Sequence, residues 1–125
     1  MLSDYYSINH QRTEGDTTVF EVALNPDCAV YQGHFPGMPV APGVCNIQMI
    51  KECTERIIGR PLLLEYLSQC KMTTLITPRQ HPTLQVRIRI LENDGTQVNV
   101  QAAIGQGEDA FITLKGTLNF LNVER

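Results

Sequence analysis

The sequence predicts an α+β fold in which a curved antiparallel sheet wraps around one long central helix. Several segments alternate apolar and polar side chains with period two, which is typical of strands with one buried face. Residues 43–58 are apolar around most of a helical projection, and Gly59-Arg60-Pro61 ends that pattern. A helix with apolar side chains on most faces needs cover on most faces, and the strands are the elements that can supply it.

The strands follow from the alternation and from the turns between them. Residues 17–24 place Phe20, Val22 and Leu24 on one face, and the later segments repeat this pattern. Asn93-Asp94-Gly95 is a hairpin signal, and residues 105–109 mark another turn. The predicted strands are residues 17–24, 84–90, 98–104 and 110–120, with a less distinct one within 65–77.

Length and composition predict one domain, residues 1–125. The hydrophobic content of 42% suits a soluble globular protein, and no apolar run approaches the ~20 residues of a membrane helix. The first residues lack both the basic start and the apolar segment of a signal peptide. A cytoplasmic protein is therefore expected.

Four cysteines, Cys28, Cys45, Cys53 and Cys70, form neither a CxxC pair nor an evident disulfide pattern. Cys45 and Cys53 fall within the predicted helix, where reduced thiols act as small core side chains. Zinc-ligand spacing is absent, so no metal site is expected. His10 is expected near a strand end and His81 in a loop, and neither is assigned a role.

The net charge of −3 argues against general nucleic-acid binding. Residues 51–89 nevertheless hold seven of the ten basic side chains and only three acidic ones. Two interpretations are open: a solvated sheet face with long cationic side chains, or a docking surface for an acidic partner or a phosphate group. The basic side chains of this segment are Lys51, Arg56, Arg60, Lys71, Arg79, Arg87 and Arg89.

The segment QGHFPGMPVAPG, residues 32–43, carries the most specific motif. Gly33-His34-Phe35-Pro36, Pro39 and Pro42-Gly43-Val44 resemble, at the same spacing, the 3-hydroxyacyl-acyl carrier protein dehydratases of bacterial fatty-acid synthesis, which have the hotdog fold. The resemblance implies a homodimer in which a histidine of one subunit faces a carboxylate from the partner's central helix. It also implies an acyl thioester substrate on acyl carrier protein or coenzyme A, and no metal or organic cofactor.

The resemblance assigns a role to each matching residue. His34 would be the base that takes a proton from C2 of the substrate, since neutral imidazole has a pKa of ~6.5. The backbone N–H of Gly43, at the positive end of the helix dipole, would stabilise charge on the thioester oxygen. The residues expected to line the substrate site are Phe35, Pro36, Pro42 and Val44.

One exchange of side chains departs from the family. The family's acid lies fourteen residues after the histidine, and here that position is Gln48. Four residues further on, where the family usually has glutamine, this chain has Glu52. The two positions share a helix face, about 5.4 Å apart along the axis. Gln48 can orient a hydroxyl but donates no proton, so Glu52 is a candidate replacement acid. The one-turn offset favours instead that Glu52 pairs with Arg56 or with a strand side chain and that the wild type dehydrates poorly.

Two other functions stay open. A hotdog thioesterase would use Glu52 to activate water, with Gln48 orienting it. A non-catalytic subunit would hold an acyl thioester within a heterodimer. The leading hypothesis is a dehydratase-like protein in fatty-acid or related lipid or polyketide synthesis, with the basic segment 51–89 as the docking surface for the acidic carrier protein.

Overall fold

A computed structural model describes residues 4–31, 41 and 43–121. It confirms the predicted α+β fold, with six strands and one long helix in the described part of the chain. In chain order the elements are β1 (Tyr6–Glu14), β2 (Thr17–Leu24), a short 3₁₀ turn (Ala29–Tyr31), α1 (Gly43–Ile58), β3 (Leu62–Met72), β4 (Thr83–Asn93), β5 (Gln97–Gln106) and β6 (Asp109–Phe120).

The six strands form one antiparallel sheet in the order β1-β2-β4-β5-β6-β3. The predicted alternation decides which side chains face the helix: Val98, Val100 and Ala102 of β5 are buried, whereas Gln97 and Gln101 are exposed. The inner face of the sheet and one side of α1 enclose the core. This arrangement is the hotdog fold, and its two free edges are β1 and β3.

The helix is less enclosed than its sequence predicts. The side chains it buries lie on one face, whereas Val44 is 75% exposed and Ile47 is partly exposed. The expectation that α1 is covered on most faces is wrong for a single chain, because one sheet curves around only one side of a helix. The helix ends as predicted, with the Gly59 N–H donating to the Glu55 carbonyl at 2.7 Å and Gly59 at φ 81°. The buried helix residues are Cys45, Asn46, Met49, Ile50, Cys53 and Thr54.

Two strands differ from their predictions. β3 begins at Leu62, ahead of the predicted segment 65–77, and ends at Met72, because its pairing with β6 stops at Ile112. The strand β1 was not predicted, since seven of its nine residues are polar or charged and leave little alternation to detect. His10, expected near a strand end, lies in the middle of β1 opposite Glu21. His81 is in a loop as expected.

The structure shows how far each of the four cysteines is buried. Cys45 and Cys53 are buried as predicted, Cys28 is partly exposed, Cys70 is exposed, and all four are free thiols. Burial, with the neighbouring Glu52 carboxylate, raises the pKa of Cys53 to about 12.

Among the described residues, no helix is long and apolar enough to cross a bilayer, and no group of three or more His, Cys, Asp or Glu side chains could hold a metal ion.

Candidate functional site

The exchanged pair on α1 forms a direct contact. Gln48 Nε2 donates a hydrogen bond to Glu52 Oε2 at 3.0 Å, and both side chains are half-buried. The two backbone positions are about one helical turn apart, but the longer reach of the two side chains closes that gap. The Glu52 carboxyl group therefore lies next to the amide that stands where the resembling family has its acid.

Tyr6, the first residue of β1, contacts the same carboxyl group from the sheet. Its hydroxyl donates to Glu52 Oε1 at 2.9 Å, so each carboxyl oxygen accepts one of these two hydrogen bonds. Burial raises the pKa of Tyr6, and the neighbouring Cys53 thiol and Glu52 carboxylate raise it further. The phenol therefore keeps its proton at neutral pH and remains a donor.

Of the two pairings expected for Glu52, the contact with a strand side chain is present, through Tyr6. Arg56, the other expected partner, directs its Nε to Gln11 Oε1 on β1 at 3.2 Å. Through these side-chain hydrogen bonds, Tyr6 and Gln11 of the edge strand β1 contact two successive turns of α1. The carboxyl group of Glu52 lies between this edge strand and Gln48.

The N-terminal end of α1 lies close to the last residue of β3. A Cβ atom added to Gly43 would be 3.0 Å from Met72 Cε, so the glycine leaves room for that side chain at the first helical turn. Val44, expected to line the substrate site, is exposed beside it. His34, Phe35, Pro36 and Pro42 lie outside the described residues. The described half of the predicted site therefore consists of Gly43, Val44, Gln48 and Glu52.

A second polar cluster lies beside the helix on its buried side. Tyr5 donates to Asn46 Oδ1 at 2.6 Å, and the Tyr5 ring lies 6.2 Å from the ring of Tyr31. The Tyr31 hydroxyl is buried and has no hydrogen-bond partner among the described residues. Burial raises the pKa of both Tyr5 and Tyr31, so both phenols are neutral. This cluster anchors the chain directly before the motif at residues 32–43.

The basic side chains of residues 51–89 do not form one surface. Lys51 pairs with Glu55 at 3.1 Å, and Arg60 stacks over the ring of Phe120 at 4.3 Å. Only three of the seven, Lys71, Arg87 and Arg89, lie on the outer face of the sheet, where they join Lys115 around a surface cavity of about 890 Å³.

The two arginines of that cavity are paired, Arg87 with Glu14 at 2.9 Å and Arg89 with Asp16 at 2.8 Å. Within the described part of the chain, Lys71 and Lys115 form no ion pair. Three of the seven cations therefore lie on the outer face of the sheet, and both interpretations of the basic segment stay open.

Comparison with known proteins identifies the family. The sequence model of the ApeI-like family, described as ApeI dehydratase, matches residues 10–111. The chain belongs to the ApeI-like dehydratase family. Similar curated proteins include two 3-hydroxyacyl-[acyl-carrier-protein] dehydratases named FabZ. The one from Lactiplantibacillus plantarum is 28% identical over 99 residues, covering 73% of this chain and 67% of the relative. The one from Levilactobacillus brevis is 30% identical over 101 residues, covering 74% and 66%. The chain thus spans about two thirds of the length of these relatives.

Solved structures with the same fold include both dehydratases and thioesterases. The dehydratase heterocomplex ApeI:P from Xenorhabdus doucetiae has a TM-score of 0.69 at 17% identity, covering 90% of this chain and 96% of that one. A thioesterase from Haemophilus influenzae has a TM-score of 0.63 at 12% identity, covering 97% and 82%. A thioesterase from Staphylococcus aureus has a TM-score of 0.61 at 11% identity, covering 94% and 93%. At these identities the structures establish the hotdog fold and leave the chemistry of this ApeI-like chain to its own residues.

Proposed function

We propose that this ApeI-like chain is a 3-hydroxyacyl thioester dehydratase in which Glu52 supplies the carboxyl group of the site. The observation that carries the proposal is the 3.0 Å hydrogen bond between Gln48 and Glu52. It brings a carboxyl group next to the helix position where the resembling dehydratases have theirs. The one-turn offset that argued against Glu52 is bridged by the side chains themselves, and membership of a dehydratase family supports the same reaction.

The reaction needs a base, an acid and a donor to the thioester oxygen. His34 takes the proton from C2, and the Gly43 N–H stabilises the negative charge that develops on the thioester oxygen. The C3–O bond breaks as Glu52, in its protonated form, gives a proton to the departing hydroxyl, which leaves as water. Return of a proton from the His34 imidazolium to the Glu52 carboxylate, through solvent, resets the site.

Gln48 orients the substrate hydroxyl in this scheme. Its amide uses one N–H for Glu52 and keeps a second N–H and a carbonyl oxygen for other partners. The carbonyl oxygen suits a substrate hydroxyl, which has a proton to donate. Gln48 would thus hold the leaving group within reach of the Glu52 carboxyl.

Thioester hydrolysis is a second candidate function, and one observation favours it. In the two hydrogen bonds described above, Glu52 accepts from Tyr6 O–H and from Gln48 N–H, which is the role that a carboxylate fills. A carboxylate is the form that activates a water molecule for attack on a thioester. The products separate the two reactions: dehydration gives a 2-enoyl thioester, whereas hydrolysis releases a free thiol.

We expect the protein to act as a homodimer joined at β3. Leu63, Tyr66 and Met72 of this edge strand are each more than half exposed. The exposed side chains of β1, the other edge, are all polar or charged, which is how proteins protect an edge that stays unpaired. The Met72 side chain also lies against Gly43. A second copy paired with β3 would therefore lie beside the first turn of α1.

The carrier of the acyl group would be an acidic acyl carrier protein or coenzyme A in the cytoplasm. The unpaired Lys71 and Lys115 on the outer face of the sheet support docking of an anionic carrier. Lys71 directly precedes Met72, which contacts the helix end that would hold the thioester.

The proposal is tested by incubating the purified protein with 3-hydroxyacyl thioesters of acyl carrier protein and of coenzyme A and identifying the products by mass spectrometry. The expected product is the 2-enoyl thioester, formed by the wild type and not by His34→Ala. Release of free thiol without a 2-enoyl product would replace dehydration by hydrolysis. Absence of both products would leave a non-catalytic, thioester-holding subunit and overturn the proposed function.

A further inference from the structure

We propose that Tyr6 is a positioning residue of the site, whose hydroxyl fixes the Glu52 carboxyl group against Gln48. The inference rests on the proposed function and names a residue to which neither the motif nor the family resemblance assigns a role. Tyr6 contacts the catalytic carboxyl group rather than the reacting atoms, so its effect on turnover would pass through Glu52.

The first argument is that Tyr6 and Gln48, which both donate hydrogen bonds to Glu52, belong to different elements of the fold. Gln48 belongs to the same helix as Glu52, so their contact alone leaves the carboxyl group free to rotate with its own side chain. Tyr6 belongs to the sheet, where it is paired with Leu24. Because Oε1 is held from the sheet and Oε2 from the helix, the carboxyl plane has one favoured orientation.

The second argument is that packing against its neighbours restricts the orientation of the Tyr6 ring. The preceding residue, Tyr5, is buried and hydrogen-bonded to Asn46. The rings of Tyr5 and Tyr6 meet edge to face, with centroids 6.4 Å apart. Two consecutive tyrosines therefore contact α1 at two points, six residues apart. A hydroxyl on so constrained a ring can orient a carboxyl group, as site geometry requires.

The burial of Tyr6 suits the donor role. Burial raises its pKa, so the hydroxyl keeps its proton through the neutral range. The same contact in a purely structural role would stabilise the fold without affecting turnover. The two roles are separable because a positioning residue acts only while the group that it positions is present.

A double-mutant cycle distinguishes the roles. Tyr6→Phe removes one hydroxyl and keeps the ring, and it is measured in the wild type and in Glu52→Gln. Tyr5→Phe is the matched control, since it removes the neighbouring hydroxyl, which contacts Asn46 instead of Glu52. Turnover number, KM and thermal unfolding are recorded for each variant with 3-hydroxyacyl thioester as substrate.

We expect Tyr6→Phe to lower kcat by about 10-fold with KM within about twofold, the size expected for loss of one hydrogen bond to the Glu52 carboxyl group. In Glu52→Gln the same change should lower kcat no further. Tyr5→Phe keeps the ring that packs against Tyr6, so it should lower the unfolding temperature and leave kcat unchanged.

Additive losses of kcat, or equal losses in Tyr5→Phe and Tyr6→Phe that follow the unfolding temperature, would overturn the positioning role alone. A wild type without turnover would overturn the proposed function, and this inference with it.

Discussion

At the scale of single residues, the exchange at positions 48 and 52 leaves an amide and a carboxyl group that are hydrogen-bonded to each other in this chain. A carboxyl and an amide spaced i and i+4 can bond in either order, since each order offers one donor and one acceptor. The exchange places the carboxyl group one turn further from the helix N-terminus. At that position the carboxyl group accepts a hydrogen bond from Tyr6. If Glu52 is the acid, the chemistry of the site involves a strand residue, Tyr6, that the motif does not contain.

Returning an acid to position 48 should change activity only modestly if Glu52 already supplies one. In Gln48→Glu, two carboxyl groups would lie about 3 Å apart, and such pairs share a proton because both cannot ionise together. We expect kcat/KM within about 10-fold of the wild type, and activity that extends to higher pH. A pH–rate profile with 3-hydroxyacyl thioester measures both. A rise of about 10²–10⁴-fold would instead mean that the wild type lacks its acid.

The buried thiols should be chemically inert in the folded protein. The thiolate is the reactive form, and a pKa of about 12 leaves Cys53 protonated at pH values near 8. Cys70 is exposed on β3. Iodoacetamide labelling followed by mass spectrometry should modify Cys70 in the native state and Cys53 only after unfolding. Cys70→Ser should remove the fast-labelling site, and native labelling of Cys53 would contradict its burial.

The residues of the site could be predicted only in part. Helical spacing placed Gln48 and Glu52 on one face, and the structure shows them in contact. Tyr6 could not be found from the sequence, because its contact with Glu52 joins positions 46 residues apart and nothing local marks one tyrosine of a pair. The predicted roles of His34, Phe35, Pro36 and Pro42 stay predictions.

At the scale of elements, prediction succeeded where one face of a strand is buried. β2 has the predicted bounds, residues 17–24, and Phe20, Val22 and Leu24 are buried as the alternation predicts. β1 lies at the sheet edge with mostly exposed side chains, so burial imposed little pattern on it. The helix shows the reverse case: its apolar side chains were visible in the sequence, but which of them a single sheet covers depends on the three-dimensional packing.

The β5–β6 hairpin depends on a glycine at an irregular pair. The register shifts between Ile104 and Gly105, and a Cβ on Gly105 would overlap the Asp109 carbonyl oxygen. Gly105→Ala must therefore displace the hairpin backbone, and we expect it to lower the free energy of unfolding by about 1–3 kcal/mol or more.

Gly107→Asn is the control for this substitution. A Cβ there meets nothing within 4 Å, and asparagine tolerates the φ of 57°. Denaturant unfolding should show a much smaller change for Gly107→Asn. Equal stability of Gly105→Ala and the wild type would contradict the described hairpin.

At the scale of the whole molecule, the β3 edge is the surface on which a second copy is expected. Tyr66 is 62% exposed on that strand. A lysine there would place a charge where two β3 strands would meet, so Tyr66→Lys should turn a dimer into a monomer at micromolar concentration. Light scattering measures the mass. Asn9→Lys, on the exposed side of β1, should leave the dimer intact.

A monomeric wild type would contradict the expected dimer. Dissociation of the dimer by Asn9→Lys but not by Tyr66→Lys would place the interface at the β1 edge. If residues 1–125 form one domain, as their length predicts, unfolding of either variant should remain a single cooperative transition.

The measurement that tests the central claim most directly compares kcat/KM of the wild type and Glu52→Gln for formation of a 2-enoyl thioester from a 3-hydroxyacyl thioester. The substitution keeps the size of the side chain and removes the group that carries the proton. If Glu52 supplies the acid, the wild type forms the enoyl product and Glu52→Gln is slower by about 10²–10⁴-fold, the usual contribution of a positioned acid. Equal rates for the two proteins, both folded by circular dichroism, would contradict the assignment of Glu52 as the acid.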